Sequence, residues 1–134
     1  MRILVDTNVI LDILLNRKDF VETSREALEK AISNGDRLYF SSSSVTDVYY
    51  LIRKSINKNI ALKAIMQMSE FFIFASVDSD CILTATLSKI GDYEDALVDT
   101  VASSIHADYI MTRNILDFKN ARNKIISPSV FLDD

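Results

Sequence analysis

Apolar residues along this chain change their spacing at short polar breaks. Ile3, Leu4 and Val5 form an unbroken run, Asp6-Thr7-Asn8 interrupts it, and Val9, Ile10, Leu11, Ile13 and Leu14 resume. A short continuous run fits a strand buried on both faces, and Asp, Thr or Asn ahead of an apolar-periodic segment is helix-capping chemistry. A strand over Arg2–Val5 and a helix from about Val9 to Leu15 are therefore predicted. A carboxylate at that seam raises a question, because burying an unpaired charge is costly. Its partner has to be a helix N-terminus, a basic side chain or a metal ion.

The same reading continues down the chain. Ala27, Leu28, Ala31 and Ile32 predict a helix over Phe20–Asn34 with Gly35 as its stop, and Arg37–Phe40 reads as a second strand. Ser41 to Ser44 lead into a helix through Val45, Val48, Tyr49, Leu51 and Ile52, with one of Tyr49 and Tyr50 expected in the core. Then follow a helix over Ile60–Met68, a strand over Phe71–Ala75, a helix over Ser79–Ile90 ended by Gly91, and a helix over Tyr93–His106. Tyr109–Met111 reads as a strand and Lys124–Ile126 as a last short one before Pro128. Strands alternating with helices indicate an α/β fold of three layers, α/β/α, around a short, mainly parallel sheet of about four to five strands.

Composition narrows the class. At 134 residues with two glycines and one proline, the chain reads as a single domain over residues 1–134 without linkers or repeats. No apolar stretch approaches the ~20 residues that span a bilayer, and no secretory pattern opens the chain, so the expected location is cytoplasmic, with no membrane role. The lone Cys81 excludes an internal disulfide and reads as a buried, inert thiol. A net charge of −4 argues against a nonspecific nucleic-acid coat, though not against a local basic patch.

In open parallel sheets ligands bind beyond the carboxyl ends of the strands. Asp6 follows the first predicted strand, Asp47 and Asp95 fall in the first turns of helices, and Asp117 follows the Tyr109 strand. Gathered at one edge, four carboxylates would repel one another unless a cation compensates, and oxygen ligands suit Mg²⁺ or Mn²⁺. Each acid also has a structural reading: Asp6 as a helix cap, Asp47 in a capping box with Ser44, Asp95 as a charge complementing the helix dipole, Asp117 as a turn residue.

The flanking words weigh on the choice. LVDTNVILD resembles the opening of PIN-domain proteins, SSSSVTDVYYLIRK resembles the second acidic segment of one of their subfamilies, and GDYEDALVDTVASSIHADYIMTRNILDF resembles its third and fourth. The resemblance implies a compact α/β fold and a Mg²⁺- or Mn²⁺-dependent ribonuclease, as in the toxins of VapBC-type toxin–antitoxin pairs. It makes Asp6, Asp47 and Asp95 catalytic, metal-site carboxylates. Many relatives carry an acid where this chain has Asn114, so Asn114 and Asp117 both stand for the fourth position. Thr7, Asn8 and Thr112 are expected to orient carboxylates and backbone, and Asp92 and Asp99, at i−3 and i+4 from Asp95, to share its helical face. His106 is read as a surface or helix-terminal residue. Arg53, Lys54 and Lys58 are candidates for RNA phosphates, and an antitoxin and a second copy of the chain are the expected protein partners. Two rivals stay open: a PIN fold that binds RNA or scaffolds without cleaving, and a phosphorylated receiver-like domain. The second would need an acidic pair after the first strand and a Lys after the fifth, whereas here Asp6 stands alone and Thr112 is followed by Arg113-Asn114.

Overall fold

The apolar run at the N-terminus becomes the middle strand of a parallel sheet. In the computed structural model, which describes all 134 residues, β1 (Arg2–Val5), β2 (Arg37–Ser41), β3 (Ile73–Ala75), β4 (Tyr109–Met111) and β5 (Ile125–Ile126) lie in the order β3-β2-β1-β4-β5. Every neighbouring pair is parallel, with Ile3 beside Leu38 on one side and Tyr109 on the other. Successive side chains of a strand point to opposite faces, so Ile3 and Val5 join one apolar cluster and Leu4 the other. This is why β1 shows no polar alternation: both faces are covered.

Seven helices supply the covers: α1 (Thr7–Leu14), α2 (Val21–Ser33), α3 (Val45–Ser55), α4 (Lys58–Phe71), α5 (Ser79–Ala85), α6 (Tyr93–Ser104) and α7 (Pro128–Asp133). Val9, Leu28, Val48, Met68 and Phe131 from α1 to α4 and α7 pack on one face, with Phe40 and Phe72 edge to face at 6.0 Å. Cys81 and Ala85 of α5, with Ala96, Val101 and Ala102 of α6, pack on the other. Cys81 is a buried free thiol, as expected. Tyr49 is half-buried while Tyr50 is 60% exposed, so Tyr49 is the one that packs.

Three helices end in one way. Beyond α1, α2 and α6 the chain turns left-handed at Asn16 (φ 50°), Gly35 (φ 79°) and His106 (φ 55°). The next residues, Arg17, Asp36 and Ala107, return their N–H groups to Asp12, Ala31 and Ala102, each at 2.9–3.0 Å. These are Schellman motifs, in which two carbonyls that the helix leaves open find donors. The expectation for Gly35 holds, and the lone histidine is an exposed helix-end residue.

Several expected boundaries move. The helix predicted to reach Ile90 ends at Ala85, and Gly91 lies beyond a turn rather than at its end. Thr86 Oγ1 there bonds the Leu83 carbonyl, and Ser88 Oγ takes the Ile90 N–H, so local hydroxyls compete with the helix ladder. Phe71 and Phe72 belong to the end of α4, which starts at Lys58 because Asn57 Oδ1 caps the Ile60 N–H. The segment after β5 forms a helix for which the sequence reading made no prediction: Ser127 caps it and Pro128 begins it, a position where proline loses no hydrogen bond. None of the helices is long and apolar enough to cross a membrane.

Candidate active site

β1 is the strand at which the order reverses, with β2 on one side and β4 on the other. A crevice opens beyond the carboxyl ends of strands at such a switch point. Asp6 sits there. It is the N-cap of α1: Oδ1 accepts the Thr7 N–H at 2.9 Å, and Oδ2 accepts the Thr112 hydroxyl at 2.8 Å and Asn8 Nδ2 at 3.2 Å. Thr112, fully buried just past β4, also accepts Asn8 Nδ2 (3.0 Å) and the Asn114 N–H (3.1 Å). The Asp-Thr-Asn and Thr-Arg-Asn words thus interlock across 106 residues of sequence. Burial pushes the Asp6 carboxyl up; the bonds from Thr112 and Thr7 draw it back, and the nearby charge of Asp117 raises it again.

Asp95 enters from α6, whose cap Asp92 takes the Asp95 N–H at 3.0 Å. Burial, followed by the charges of Asp6, Asp92 and Asp117, raises Asp95 to about 7. Glu94 beside it is raised to about 8, first by a hydrogen bond with the Asp47 carboxyl, then by burial and by the charges of Asp47, Asp92 and Asp95. Two carboxyl groups sharing a hydrogen bond need a proton between them.

The carboxylates of Asp6, Asp47, Asp92, Glu94 and Asp95 line one open cleft with Thr7, Asn8 and Asn114, and Arg17 is its one cation. Asp117 stands just outside, on a 3₁₀ turn over Ile115–Phe118, near enough to repel both Asp6 and Asp95. No three of these side chains close on one point as a ready-made cage. Carboxylate oxygens of this kind are ligands for hard cations such as Mg²⁺ or Mn²⁺.

The structure distributes the remaining predicted residues. Asp99 does not share the cleft: its buried carboxylate accepts the backbone N–H groups of Arg122 (2.9 Å) and Asn123 (3.2 Å) and anchors the loop before β5. Asp92 lines the cleft, but as the cap of α6. Ser44 forms no capping box with Asp47; its hydroxyl is buried without a partner, and Asp47 pairs with Glu94. Arg53, Lys54 and Lys58 are exposed and lie outside the cleft lining, so the RNA-phosphate expectation for them stays a proposal.

Three residues escaped the sequence reading. Glu94 passed as ordinary first-turn charge, and Arg17 lay beyond the end of a helix. Asp12 carried a usable signal, an acid within the apolar stripe of α1, and proves fully buried.

A short parallel sheet with acids converging at its switch point defines the class, and the sequence matches the family profile described as PIN domain over residues 2–116. The chain belongs to the PIN-domain family. Solved structures share the fold: a chain of VapBC2 from Rickettsia felis bound to a DNA fragment from its promoter is 18% identical, with TM-score 0.75 over 95% of this chain and 98% of that one. A chain of VapBC-1 from nontypeable Haemophilus influenzae is 19% identical, with TM-score 0.72 over 96% and 99%. A chain of DNA-bound VapBC from Salmonella typhimurium is 18% identical, with TM-score 0.74 over 96% and 98%. Comparison with curated protein sequences gives no match.

Proposed function

We propose that this protein is a Mg²⁺- or Mn²⁺-dependent ribonuclease of the toxin–antitoxin type. The observation that supports it best is the gathering of five carboxyl groups in one cleft with a single cation, where burial and then the neighbouring acids lift Asp95 to about 7, and the Asp47 carboxyl and burial lift Glu94 to about 8. Asp6, Asp95 and Asp117 would hold the ion, and Asp47 with Glu94 would face them. When bound, a divalent ion supplies a water of lowered pKa and neutralises charge on the phosphodiester. The chain's residues do the rest. Thr7, Asn8 and Thr112 fix the orientation of Asp6, Glu94 holds a proton against Asp47, and Arg17 offers a cation to a substrate phosphate.

The test is cleavage of single-stranded and structured RNA with Mg²⁺ or Mn²⁺ against an EDTA control. Activity is expected only with metal, and undiminished cleavage in EDTA overturns the reading. The same titration separates the two candidates for the fourth position. Asp117→Asn removes a charge and shifts the metal midpoint upward; Asn114→Ala removes a neutral contact worth roughly 1 kcal/mol and shifts it less. The reverse order would assign the position to Asn114.

An antitoxin belongs to the same reading, because the similar structures named above are VapBC complexes. Ile13, Leu14, Leu28, Ile32, Phe71 and Phe72 line an apolar groove between α1, α2 and α4, and Phe71 is 59% exposed. An amphipathic helix of the antitoxin fits such a groove. Copurification with the product of an adjacent short reading frame, lost in Phe71→Asp, is expected; a complex insensitive to that change places the partner elsewhere.

A further inference from the structure

Among charged groups outside the cleft, Asp12 is the most heavily engaged. It lies on α1, is fully buried and does not line the cleft; Arg17, which does, reaches its Oδ1 with Nη1 at 3.5 Å. Arg113 meets it with a two-nitrogen fork, Nε to Oδ2 at 2.6 Å and Nη2 to Oδ1 at 2.9 Å. The Ser24 hydroxyl donates to Oδ2 at 2.9 Å. The Arg113 guanidinium also stacks on the Phe20 ring at 3.8 Å, so its plane is fixed from two directions.

What this fork holds is the turn after β4. The backbone N–H of Arg113 donates to Asn8 Oδ1 at 3.1 Å, and Asn8 Nδ2 donates to Asp6 Oδ2 at 3.2 Å and to Thr112 Oγ1 at 3.0 Å. Asn8 and Asp12 are four residues apart on α1 and share a helical face. One arginine therefore grips α1 twice, through its side chain at Asp12 and through its backbone at Asn8.

We propose that the Asp12–Arg113 pair is a positioning device for the acidic site: it clamps the turn after β4 onto α1, which sets Asn8 and Thr112 against Oδ2 of Asp6. Asp6 Oδ1, which accepts only the Thr7 N–H, is then the oxygen turned to a cation. In its metal-binding consequence the proposal rests on the metal-site reading above.

A buried ion pair that merely stabilises the fold makes a different prediction. Losing one partner of such a pair destabilises because it strands a charge, whereas neutralising both relieves that. The test uses the full chain with Arg113→Lys, Asp12→Asn and the neutral pair Asp12→Asn/Arg113→Gln, and with Met68→Ala as a core control for lost stability. Two readouts are taken beside the melting temperature: solvent exchange of the Asn8 side-chain amide by NMR without metal, and the Mn²⁺ dissociation constant by electron paramagnetic resonance. Asn8 exchange is expected to speed up and the Mn²⁺ constant to rise about tenfold in Arg113→Lys and Asp12→Asn, the scale on which outer-shell partners act. Neither changes in Met68→Ala. The neutral pair regains melting temperature relative to Asp12→Asn but not Mn²⁺ affinity. Parent-like Asn8 exchange and Mn²⁺ affinity in Arg113→Lys, or values that simply follow melting temperature across all four variants, overturn the proposal. If the parent itself binds no Mn²⁺, the metal-site reading falls, and Asn8 exchange alone still decides whether the clamp exists.

Discussion

Asp95→Asn abolishes RNA cleavage and, at pH 8 without metal, melts at a higher temperature than the parent. Asp95 is held at about 7 by burial and by Asp6, Asp92 and Asp117. A carboxyl whose folded value lies above its ordinary 3.8 binds its proton more tightly in the folded chain. Stability is therefore lost as pH rises from about 4, and the full penalty is present above about 7. An amide cannot ionise, so the variant escapes the whole penalty at pH 8 and only part of it at pH 5, where the unfolded parent has ionised but the folded one is still protonated. Cleavage should fall by more than about a hundredfold, beyond what losing an outer-shell partner costs a metal site. Asp6→Asn should lose cleavage as well but gain less stability, because three donors converge on its carboxylate and an amide nitrogen cannot accept any of them. Retained cleavage with lower melting temperatures at pH 8 in both variants would make these residues helix caps and nothing more.

Mg²⁺ stabilises the protein strongly at pH 8 and little at pH 5. Asp95 and Glu94 gain protons on folding across the window from about 4 to about 8, so the metal-free protein becomes less stable as pH climbs through it. Below the window an ion has to displace those protons; above it, the ion meets carboxylates already ionised and repelling. At a concentration about a hundred times its dissociation constant, an ion that binds only the folded chain adds about 2.7 kcal/mol. That is several degrees of melting temperature in a protein of this size. Melting curves at pH 5, 6.5 and 8 with Mg²⁺ or EDTA measure it. An Mg²⁺ effect that is equal at pH 5 and pH 8 would separate the raised carboxyl groups from metal binding.

Much of the fold was legible because the chemistry was local. The Ile3–Val5 run, the Asp6 cap and Gly35 each announce an element through residues within a few positions of one another. Asp6 and Asp95 could be placed at strand and helix ends for the same reason, since capping and site geometry coincide there. What stayed hidden depends on contacts between distant segments. Glu94 acquires its character from Asp47, and Arg113 acquires its role from Asp12, 101 residues away. No spacing rule reaches across such intervals. Asp99 misled because sharing a helical face with Asp95 says nothing of which loop packs on that face; here it is the Arg122–Asn123 backbone. At α7 a local signal was present but not used: serine followed by proline is the start of a helix.

The central place of β1 sets a timetable. β1 can pair with β2 only once residues 37–39 exist, and its other neighbour is β4, whose pairing with Val5 waits for Met111. Asp6 receives its bond from Thr112 only 106 residues after it is itself added. At about 5–20 residues per second of synthesis, that is roughly five to twenty seconds. During that time Asp6 has none of its donors from beyond β4, and Asp95 and Asp117 are not yet in place. No chain short of Asp117 holds the assembled set of acids, so whatever chemistry the carboxylates perform waits until the whole stretch from Asp6 to Asp117 has been made.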